Sequence, residues 1–192
     1  MHLPPCPRRV LLGVTGSISA AHTPTQVLAL RQLFGAEVRV VLTPAATQFV
    51  APRALAVMSG AEVLGVEARP VTSPAVDHVE VASWADLLLV LPATADFLAR
   101  TAAGTAPDLL GAAVLAAACP VVVVPSMNHV MWRKPVVQRN ADQLRADGIG
   151  VVPPVHGVAL ADGSSGEGAT PPLTEVLRWV AAWSREREAV SA

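Results

Sequence analysis

The feature that most restricts the fold of this 192-residue chain is a series of short, uninterrupted apolar runs. The clearest are RRVLLGV, DLLLVLP and PVVVVPS, in which apolar residues follow one another instead of alternating with polar residues. A strand of that kind is covered on both faces, as in a parallel sheet with helices on both sides. We therefore predict a single α/β domain with a doubly wound, mostly parallel, Rossmann-like (flavodoxin-like) sheet. The predicted strands cover residues 8–14, 37–43, 86–92, 120–126 and 149–154.

The segments between these runs have the lengths and the Gly stop signals of helices, so strand and helix alternate at βα spacing. Residues 78–85 fit either a helix or a strand, and a Pro-containing irregular segment runs from Gly60 to Pro74. The Gly- and Ser-rich residues 155–172 predict a mobile loop, and residues 173–188 predict a closing helix. The single predicted domain, residues 1–192, thus has its core over residues 8–154. The predicted helices cover residues 25–35, 52–60, 94–104, 108–118 and 136–148.

Composition and charge exclude several classes of function. The formal net charge is −1, so there is no electrostatic basis for binding nucleic acid or an anionic membrane surface. No apolar stretch reaches membrane-spanning length without Pro, Gly or charge. The N-terminal MHLPPCPRR does not resemble a signal peptide. Two isolated cysteines, Cys6 and Cys119, predict a reduced cytoplasmic compartment and no disulfide framework.

Four turns follow the predicted strands at the edge where such sheets bind ligands, outside the carboxyl ends of the strands. The first is TGSIS, which includes Thr15, Gly16, Ser17 and Ile18. Backbone N–H groups at a helix start, together with Ser and Thr hydroxyls, predict a phosphate site here. The alternative is an ordinary small polar turn, since neither GxGxxG nor GK[ST] is present. The four turns cover residues 15–19, 43–49, 92–96 and 125–132.

The second and third turns repeat the pattern of small polar residues. Thr43 ends a strand, and Phe49 either covers a ligand ring or belongs to the core. In LPATADFLART, Asp96 stands where a helix-capping residue is expected. Thr101 falls near the same helix face as Thr94. Small residues in this turn would let a flat ring lie against the backbone.

The fourth turn, PSMNHVMW, places an Asn between two Met residues directly after a buried strand. The Met side chains offer soft, polarizable surface and also fit a core position. Asn128 offers a donor amide for a carboxylate, and a core position would require its amide to be satisfied. A histidine is the natural candidate for a base, but composition does not choose among His22, His78, His129 and His156.

Three motifs, taken together, resemble the flavin-dependent cysteine decarboxylase family (HFCD flavoproteins). They are LLGVTGSISA, the segment HVEVASWADLLLVLPATADFLARTAAG and the signature PxMNxxMW, here PSMNHVMW. That family includes phosphopantothenoylcysteine decarboxylases and the epidermin-type peptidyl-cysteine decarboxylases of lanthipeptide biosynthesis. The resemblance covers about residues 9–154. It implies a flavin, FMN with FAD as the alternative, and assembly as trimers or dodecamers with the flavin at a subunit boundary.

The resemblance also implies roles for individual residues. His78 corresponds to the base, and Asn128 to the residue that holds the substrate carboxylate. Further substrate contacts are expected at Met127, Met131, Ser164, Ser165 and Gly166. Flavin contacts are expected at Thr15, Gly16, Ser17, Ile18, Thr43, Phe49, Ala93, Thr94, Ala95, Asp96, Thr101 and Met127. One departure is PATAD, in which Asp96 stands where many members carry Asn.

The substrate expected from the resemblance depends on an absent thiol. Phosphopantothenoylcysteine decarboxylases carry a Cys in the loop that corresponds to residues 155–172, and this loop has none. The reaction is therefore expected to stop at the ene-thiol, as in decarboxylation of the C-terminal cysteine of a ribosomal precursor peptide. The alternatives are a phosphopantothenoylcysteine decarboxylase of coenzyme A biosynthesis and a non-catalytic flavin-binding regulatory subunit. A flavin prenyltransferase shares the fold but lacks the PxMNxxMW signature.

Overall fold

Six parallel strands form the central sheet of this computed structural model, which describes residues 3–66, 77–158 and 163–191. The order β3-β2-β1-β4-β5-β6 reverses direction between β1 and β4, as in a doubly wound fold. The predicted single-domain, doubly wound parallel sheet is therefore confirmed. The strands are β1 (Arg9–Val14), β2 (Glu37–Leu42), β3 (Val63–Leu64), β4 (Leu87–Ala93), β5 (Val121–Pro125) and β6 (Gly150–Val151).

Helices cover both faces of this sheet, because the strands present apolar side chains to both sides. One core cluster joins the sheet to α1 (Thr23–Gln32), α2 (Pro52–Ser59) and α8 (Leu173–Ser191). The other cluster joins the opposite face to the remaining long helices. These are α3 (Asp77–Trp84), α4 (Ala95–Ala102), α5 (Leu109–Ala116) and α7 (Pro135–Ala146); the short α6 (His129–Trp132) follows β5.

The structure resolves one ambiguous segment and corrects another. The ambiguous residues 78–85 lie mainly in α3, and the irregular segment after Gly60 contains the two-residue strand β3. A two-residue strand has no periodicity to detect, and β3 is recognised by its pairing with Val40 and Val41 of β2. The short turns after β1 and β2 form 3-10 helices, Ile18–His22 and Pro44–Gln48.

The prediction of an irregular loop over 155–172 is wrong for the residues that the structure describes. β7 (Val155–Val158) and β8 (Ser165–Ala169) pair antiparallel in a two-stranded hairpin outside the main sheet. Gly and Ser suit the hairpin because β8 lies against the turn after β5 with almost no room for side chains. An added Cβ at Gly166 would lie 2.6 Å from Cγ of His129. A sequence rich in Gly therefore indicates close packing here.

None of the helices in the described parts of the chain combines the length and the apolar character needed to cross a bilayer.

Candidate active site

A cavity of about 640 Å³ opens at the carboxyl edge of the sheet. Its walls come from the turn after β1, the start of α1, the turn after β5 and the β7–β8 hairpin. Elements far apart in sequence therefore meet at the edge that the topology predicts. The predicted site residues on its wall are Ser17, Ile18, Met127, Asn128, Ser164 and Gly166.

Three serine hydroxyls form a cluster at the base of this cavity. The Oγ atom of Ser126 lies 3.0 Å from that of Ser17 and 2.8 Å from that of Ser19. Ser126 follows β5 while the other two follow β1, and β4 lies between these strands in the sheet. Such a cluster of hydroxyls can exchange its internal hydrogen bonds for bonds to the oxygens of a phosphate or polyol. Ser19 and Ser126 were not among the predicted site residues, although both lie in the quoted turns.

Thr15 joins the turns after β1 and β4. Its Oγ1 atom donates to the Pro92 carbonyl at 2.8 Å and accepts from the Thr94 N–H at 3.0 Å. Thr94 in turn caps α4 by accepting from the Phe97 N–H at 3.2 Å. The hydroxyls of Thr15 and Thr94 thus shape the switch point of the sheet, and their flavin contacts stay predictions.

The other residues predicted on this strand and helix are placed as follows. Ala93 is buried at the end of β4, and Ala95 begins α4. The Asp96 carboxylate pairs with the Arg100 guanidinium at 2.7 Å, one helical turn further on. Thr101 lies near the other end of α4, on the wall of a second cavity that also includes Cys119. The structure therefore does not bring Asp96 or Thr101 into the first cavity.

The turn after β2 contributes an orphaned hydroxyl close to the turn after β1. Thr43 is buried, and its Oγ1 atom has no hydrogen-bond partner among the described residues. The two turns are in close contact, since an added Cβ at Gly16 would lie 2.6 Å from Cβ of Ala45. Phe49 is 38% exposed, so the alternative that it belongs to the core is wrong. A buried polar group without a partner points to a ligand that supplies one.

Asn128 has its side-chain amide oriented by the helix that it caps. Its Oδ1 atom accepts from the Val130 N–H at 2.7 Å, so Nδ2 carries the donors and faces the hairpin and the cavity. Nδ2 donates to Ser164 Oγ at 3.3 Å, and the same oxygen lies 3.4 Å from His129 Nδ1. The arrangement presents a hydrogen-bond donor on the cavity wall, which is the chemistry that a carboxylate needs.

The hairpin closes the cavity by docking on the turn after β5. The Met127 N–H donates to the Gly168 carbonyl at 3.0 Å, which attaches β8 to this turn. Ser165 points the other way, where its Oγ atom lies 2.7 Å from His156 Nε2. The predicted substrate contact of Ser165 is therefore not on the cavity wall, whereas Ser164 and Gly166 are.

Replacing Gly168 by Ala is expected to displace the hairpin, because the new Cβ would collide with the Met127 carbonyl oxygen. Overpacking of this kind costs about 1–3 kcal/mol. We therefore expect the KM for substrate to rise about tenfold or more. Steady-state kinetics measure the effect. Glu167→Ala is the control, since Glu167 is exposed on the other side of β8; equal KM values for both variants would contradict the closing role of the hairpin.

His78 lies on the side of the sheet opposite α1 and is not on the cavity wall. It is half-buried near the N-terminus of α3, and α3 runs back from the carboxyl edge because it precedes β4. The Arg39 guanidinium holds this helix, 4.5 Å from the Trp84 ring and 4.0 Å from the Glu80 carboxylate. Met131, also expected at the substrate, is 47% exposed outside the cavity. Within one chain, Asn128 therefore lines the cavity and the predicted base His78 does not.

Neither cysteine lines the cavity. Burial raises the pKa of the Cys6 thiol to about 11 and also raises the pKa of the Cys119 thiol. Since the thiolate is the reactive form, both are poor nucleophiles at neutral pH. No three His, Cys, Asp or Glu side chains of the described ranges come together in a way that could hold a metal ion.

Comparisons with known proteins agree with this geometry. The profile of the Flavoprotein family matches residues 6–185. The coenzyme A biosynthesis bifunctional protein CoaBC of Escherichia coli is 41% identical over 178 residues, covering 92% of this chain and 43% of CoaBC. The chain thus spans less than half the length of this curated relative.

Solved structures with a similar fold include two decarboxylases. The FMN-dependent cysteine decarboxylase SpaF has a TM-score of 0.73 at 42% identity, covering 83% of this chain and 89% of that chain. A Cys-to-Ser mutant of PPC decarboxylase, complexed with pantothenoylaminoethenethiol, has a TM-score of 0.77 at 26% identity. That match covers 97% of this chain and 100% of the other, so the fold is shared over nearly the whole length.

Proposed function

Because this chain belongs to the Flavoprotein family, within the group of flavin-dependent cysteine decarboxylases, we propose that it binds FMN and removes the carboxylate of a terminal cysteine. The family resemblance seen in the sequence is thereby confirmed. The observation that carries the proposal is the cavity in which the oriented Asn128 amide lies near the hydroxyl cluster of Ser17, Ser19 and Ser126. One group suits a carboxylate, and the other suits the polar chain of a flavin nucleotide.

The residues at this edge fit FMN by the chemistry of their donors. The serine cluster offers hydroxyls to a phosphate or ribityl chain, and the buried Thr43 hydroxyl lacks a protein partner. Phe49 presents an exposed aromatic ring beside the same turn, against which a flat ring can lie. When bound, a flavin supplies two-electron oxidation, which makes loss of carbon dioxide from a cysteine feasible.

The protein's own residues bind and orient the substrate. Asn128 donates to the substrate carboxylate. This hydrogen bond sets the orientation of the bond between the carboxylate and Cα, which breaks in the reaction. The docked hairpin forms one wall of the cavity and limits the access of water from that side. His78 acts as the base that accepts a proton from the substrate. The substrate loses carbon dioxide and two hydrogens overall, which leaves an ene-thiol.

The position of the two cysteine thiols supports the ene-thiol as the final product. Neither Cys6 nor Cys119 reaches the cavity, and the chain has no other cysteine. The PPC decarboxylase structure that holds an aminoethenethiol is a mutant in which a Cys was replaced by Ser. We expect a chain that has no Cys between residues 155 and 172 to stop at the ene-thiol as well. This favours the C-terminal cysteine of a ribosomal precursor peptide as the substrate.

The second candidate substrate is phosphopantothenoylcysteine. The 41% identity to CoaBC supports it, and the curated relatives favour this candidate more than the peptide. The match covers only 43% of CoaBC, so its substrates and activities extend to this chain only as a proposal.

We also propose that the site is completed by a second copy of the chain. His78 does not line the cavity, so one chain does not bring this residue and Asn128 together on its wall. Large apolar side chains at or next to the same edge are 38–52% exposed, as expected for a surface that another subunit covers. These are Ile18, Phe49, Val79, Val130, Met131 and Val136. A trimer, or a dodecamer of trimers, would satisfy this arrangement.

The test uses the purified protein, its absorption spectrum and both substrate classes in air. We expect a yellow protein and a mass loss of carbon dioxide plus two hydrogens from peptides that end in Cys. Turnover of phosphopantothenoylcysteine alone would select the second candidate. A yellow protein that changes neither substrate would indicate a non-catalytic subunit, and a protein that cannot be reconstituted with FMN would contradict the proposal.

A further inference from the structure

The imidazole of His129 lies on the cavity wall and takes no part in the proposed mechanism. Its ring packs against the hairpin, where an added Cβ at Gly166 would lie 2.6 Å from Cγ and 2.9 Å from Cδ2 of the ring. The absence of a side chain at Gly166 therefore lets the ring lie directly on β8. In this position Nδ1 of His129 lies 3.4 Å from Ser164 Oγ, so the docked hairpin brings the two side chains together.

The Ser164 hydroxyl lies between two nitrogen atoms, the amide of Asn128 and the imidazole of His129. The amide is a donor, because Oδ1 of Asn128 accepts from the Val130 N–H and Nδ2 lies 3.3 Å from Ser164 Oγ. A hydroxyl has one proton and two acceptor sites, so Ser164 keeps one of each for its other contacts. The role of the ring nitrogen decides where the proton goes. If Nδ1 accepts, the proton points to the ring, and if Nδ1 donates, the proton can point elsewhere.

A terminal carboxylate favours the second of these states, because it has two oxygens that only accept hydrogen bonds. When Nδ1 of His129 donates, the Ser164 O–H and the second N–H of the Asn128 amide can each donate to one carboxylate oxygen. When Nδ1 accepts, the Ser164 hydroxyl offers the carboxylate no proton. Protonation of the imidazole favours the donating state further, since both ring nitrogens then carry hydrogen and the positive charge attracts the anion.

We infer that His129 is a positioning residue that acts through Ser164. Its Nδ1–H holds the Ser164 oxygen, so that the Ser164 hydroxyl and the Asn128 amide together bind the carboxylate of the reacting cysteine. The inference rests on the proposed decarboxylation and applies to both candidate substrates, since both carry this carboxylate. An imidazole gains its proton between about pH 8 and pH 5, so the carboxylate should bind more tightly toward the acid end of this range.

Other histidines titrate over the same range and need variants of their own. His22 is the other titratable side chain on the cavity wall within the part of the chain that the structure describes. His156 lies on β7, where its Nε2 atom is 2.7 Å from Ser165 Oγ on the outer face of the hairpin. The remaining charged residues on β8 and directly after α6 are exposed; they are Glu167, Arg133 and Lys134.

The experiment measures binding to the flavin-loaded protein by titration calorimetry, with probes in which Ser replaces the reacting Cys. The probes are a hexapeptide ending in Ser and phosphopantothenoylserine, each as the acid and as the amide. His129→Phe keeps an aromatic ring on Gly166 but has no donor. At pH 6 we expect it to weaken binding of the acid probe about tenfold and to leave the amide probe unchanged. His129→Asn keeps a neutral donor close to the position of Nδ1, so it should bind the acid probe like the wild type at pH 8 but should not gain affinity toward pH 6.

A second variant tests the path through Ser164 independently of any effect of His129→Phe on folding. Ser164→Ala should also weaken the acid probe about tenfold, and the double variant should lose no more than either single variant, because the two residues act as one unit. His156→Phe is the matched control, since it removes the imidazole of the other His–Ser pair on the hairpin. His156→Phe and His22→Asn should both keep the affinity and the pH dependence of the wild type.

Four outcomes would overturn the inference. If His129→Phe binds the acid probe as tightly as the wild type, His129 does not position Ser164, and the proposed function stands without it. Equal losses for the acid and amide probes would indicate a structural role, and loss of the flavin absorbance in both His129→Phe and Ser164→Ala would assign the pair to the flavin. A pH dependence that disappears in His22→Asn would belong to His22. A wild type that binds acid and amide probes equally would overturn the carboxylate site itself, and with it the proposed function.

Discussion

Replacing Asn128 by Asp is expected to lower kcat/KM for the cysteine substrate about 100-fold or more, with the flavin retained. The substituted carboxyl has nearly the same shape, and its oxygen can still accept the Val130 N–H that caps α6. It carries no donor when ionised, and its negative charge repels the substrate carboxylate. The loss should therefore come from substrate placement, with no loss of folding.

The matched control is Asn140→Asp, since Asn140 is the only other asparagine and lies on α7 outside the cavity. Its kinetics should equal those of the wild type. A second comparison uses peptides that end in Cys amide, which have no terminal carboxylate. If the wild type binds acid and amide peptides equally well, Asn128 does not hold the carboxylate.

Replacing His78 by Asn should lower kcat about 10²–10⁴-fold, the usual loss when a general base is removed. The protein should stay yellow and folded, because His78 lies near the end of α3, which Arg39 holds through Glu80 and Trp84. His156→Asn is the matched control, since His156 is exposed on β7. Full activity of His78→Asn would remove this residue from the mechanism.

The same two variants test whether the site is shared between subunits. If His78 of one copy serves the cavity of the next, coexpressed His78→Asn and Asn128→Asp chains will form mixed oligomers that contain some intact sites. We expect activity to return to a substantial fraction of the wild type in the mixture but in neither variant alone. Light scattering of the same sample reports the assembly. A monomer, or a mixture as inactive as its components, would contradict the shared site.

The candidate site could be predicted where chemistry and local pattern coincide. Asn128 follows a buried strand, carries an amide that a core does not accommodate, and lies on the cavity wall. Ser17 and Ile18 follow β1 at the edge that the sheet order selects, and they also line the cavity. For these residues, the position in the sequence predicts the position in the fold. A turn that follows a parallel strand must lie at the carboxyl edge of the sheet.

Sequence position did not predict the surroundings of three other residues, Thr101, Asp96 and Ser165. Helical spacing places Thr101 near the face of Thr94 but does not say that it lies beside Cys119, at the wall of a different cavity. Asp96 pairs with Arg100, and Ser165 faces His156. The direction of a side chain depends on the partner packed against it, and a local pattern does not show which of several nearby partners it takes.

By itself the sequence determined the parallel sheet, the ligand-binding edge and the residues of the four turns, since uninterrupted apolar strands leave few other solutions. Only the tertiary structure decided that residues 155–158 and 165–169 form a hairpin, because Gly166 and Gly168 are explained by the His129 ring and the Met127 carbonyl beneath them. It also decided that Ser126 joins Ser17 and that Gln26 and Thr170 share a cavity. Contacts between residues more than a hundred positions apart depend on packing, which no local pattern encodes.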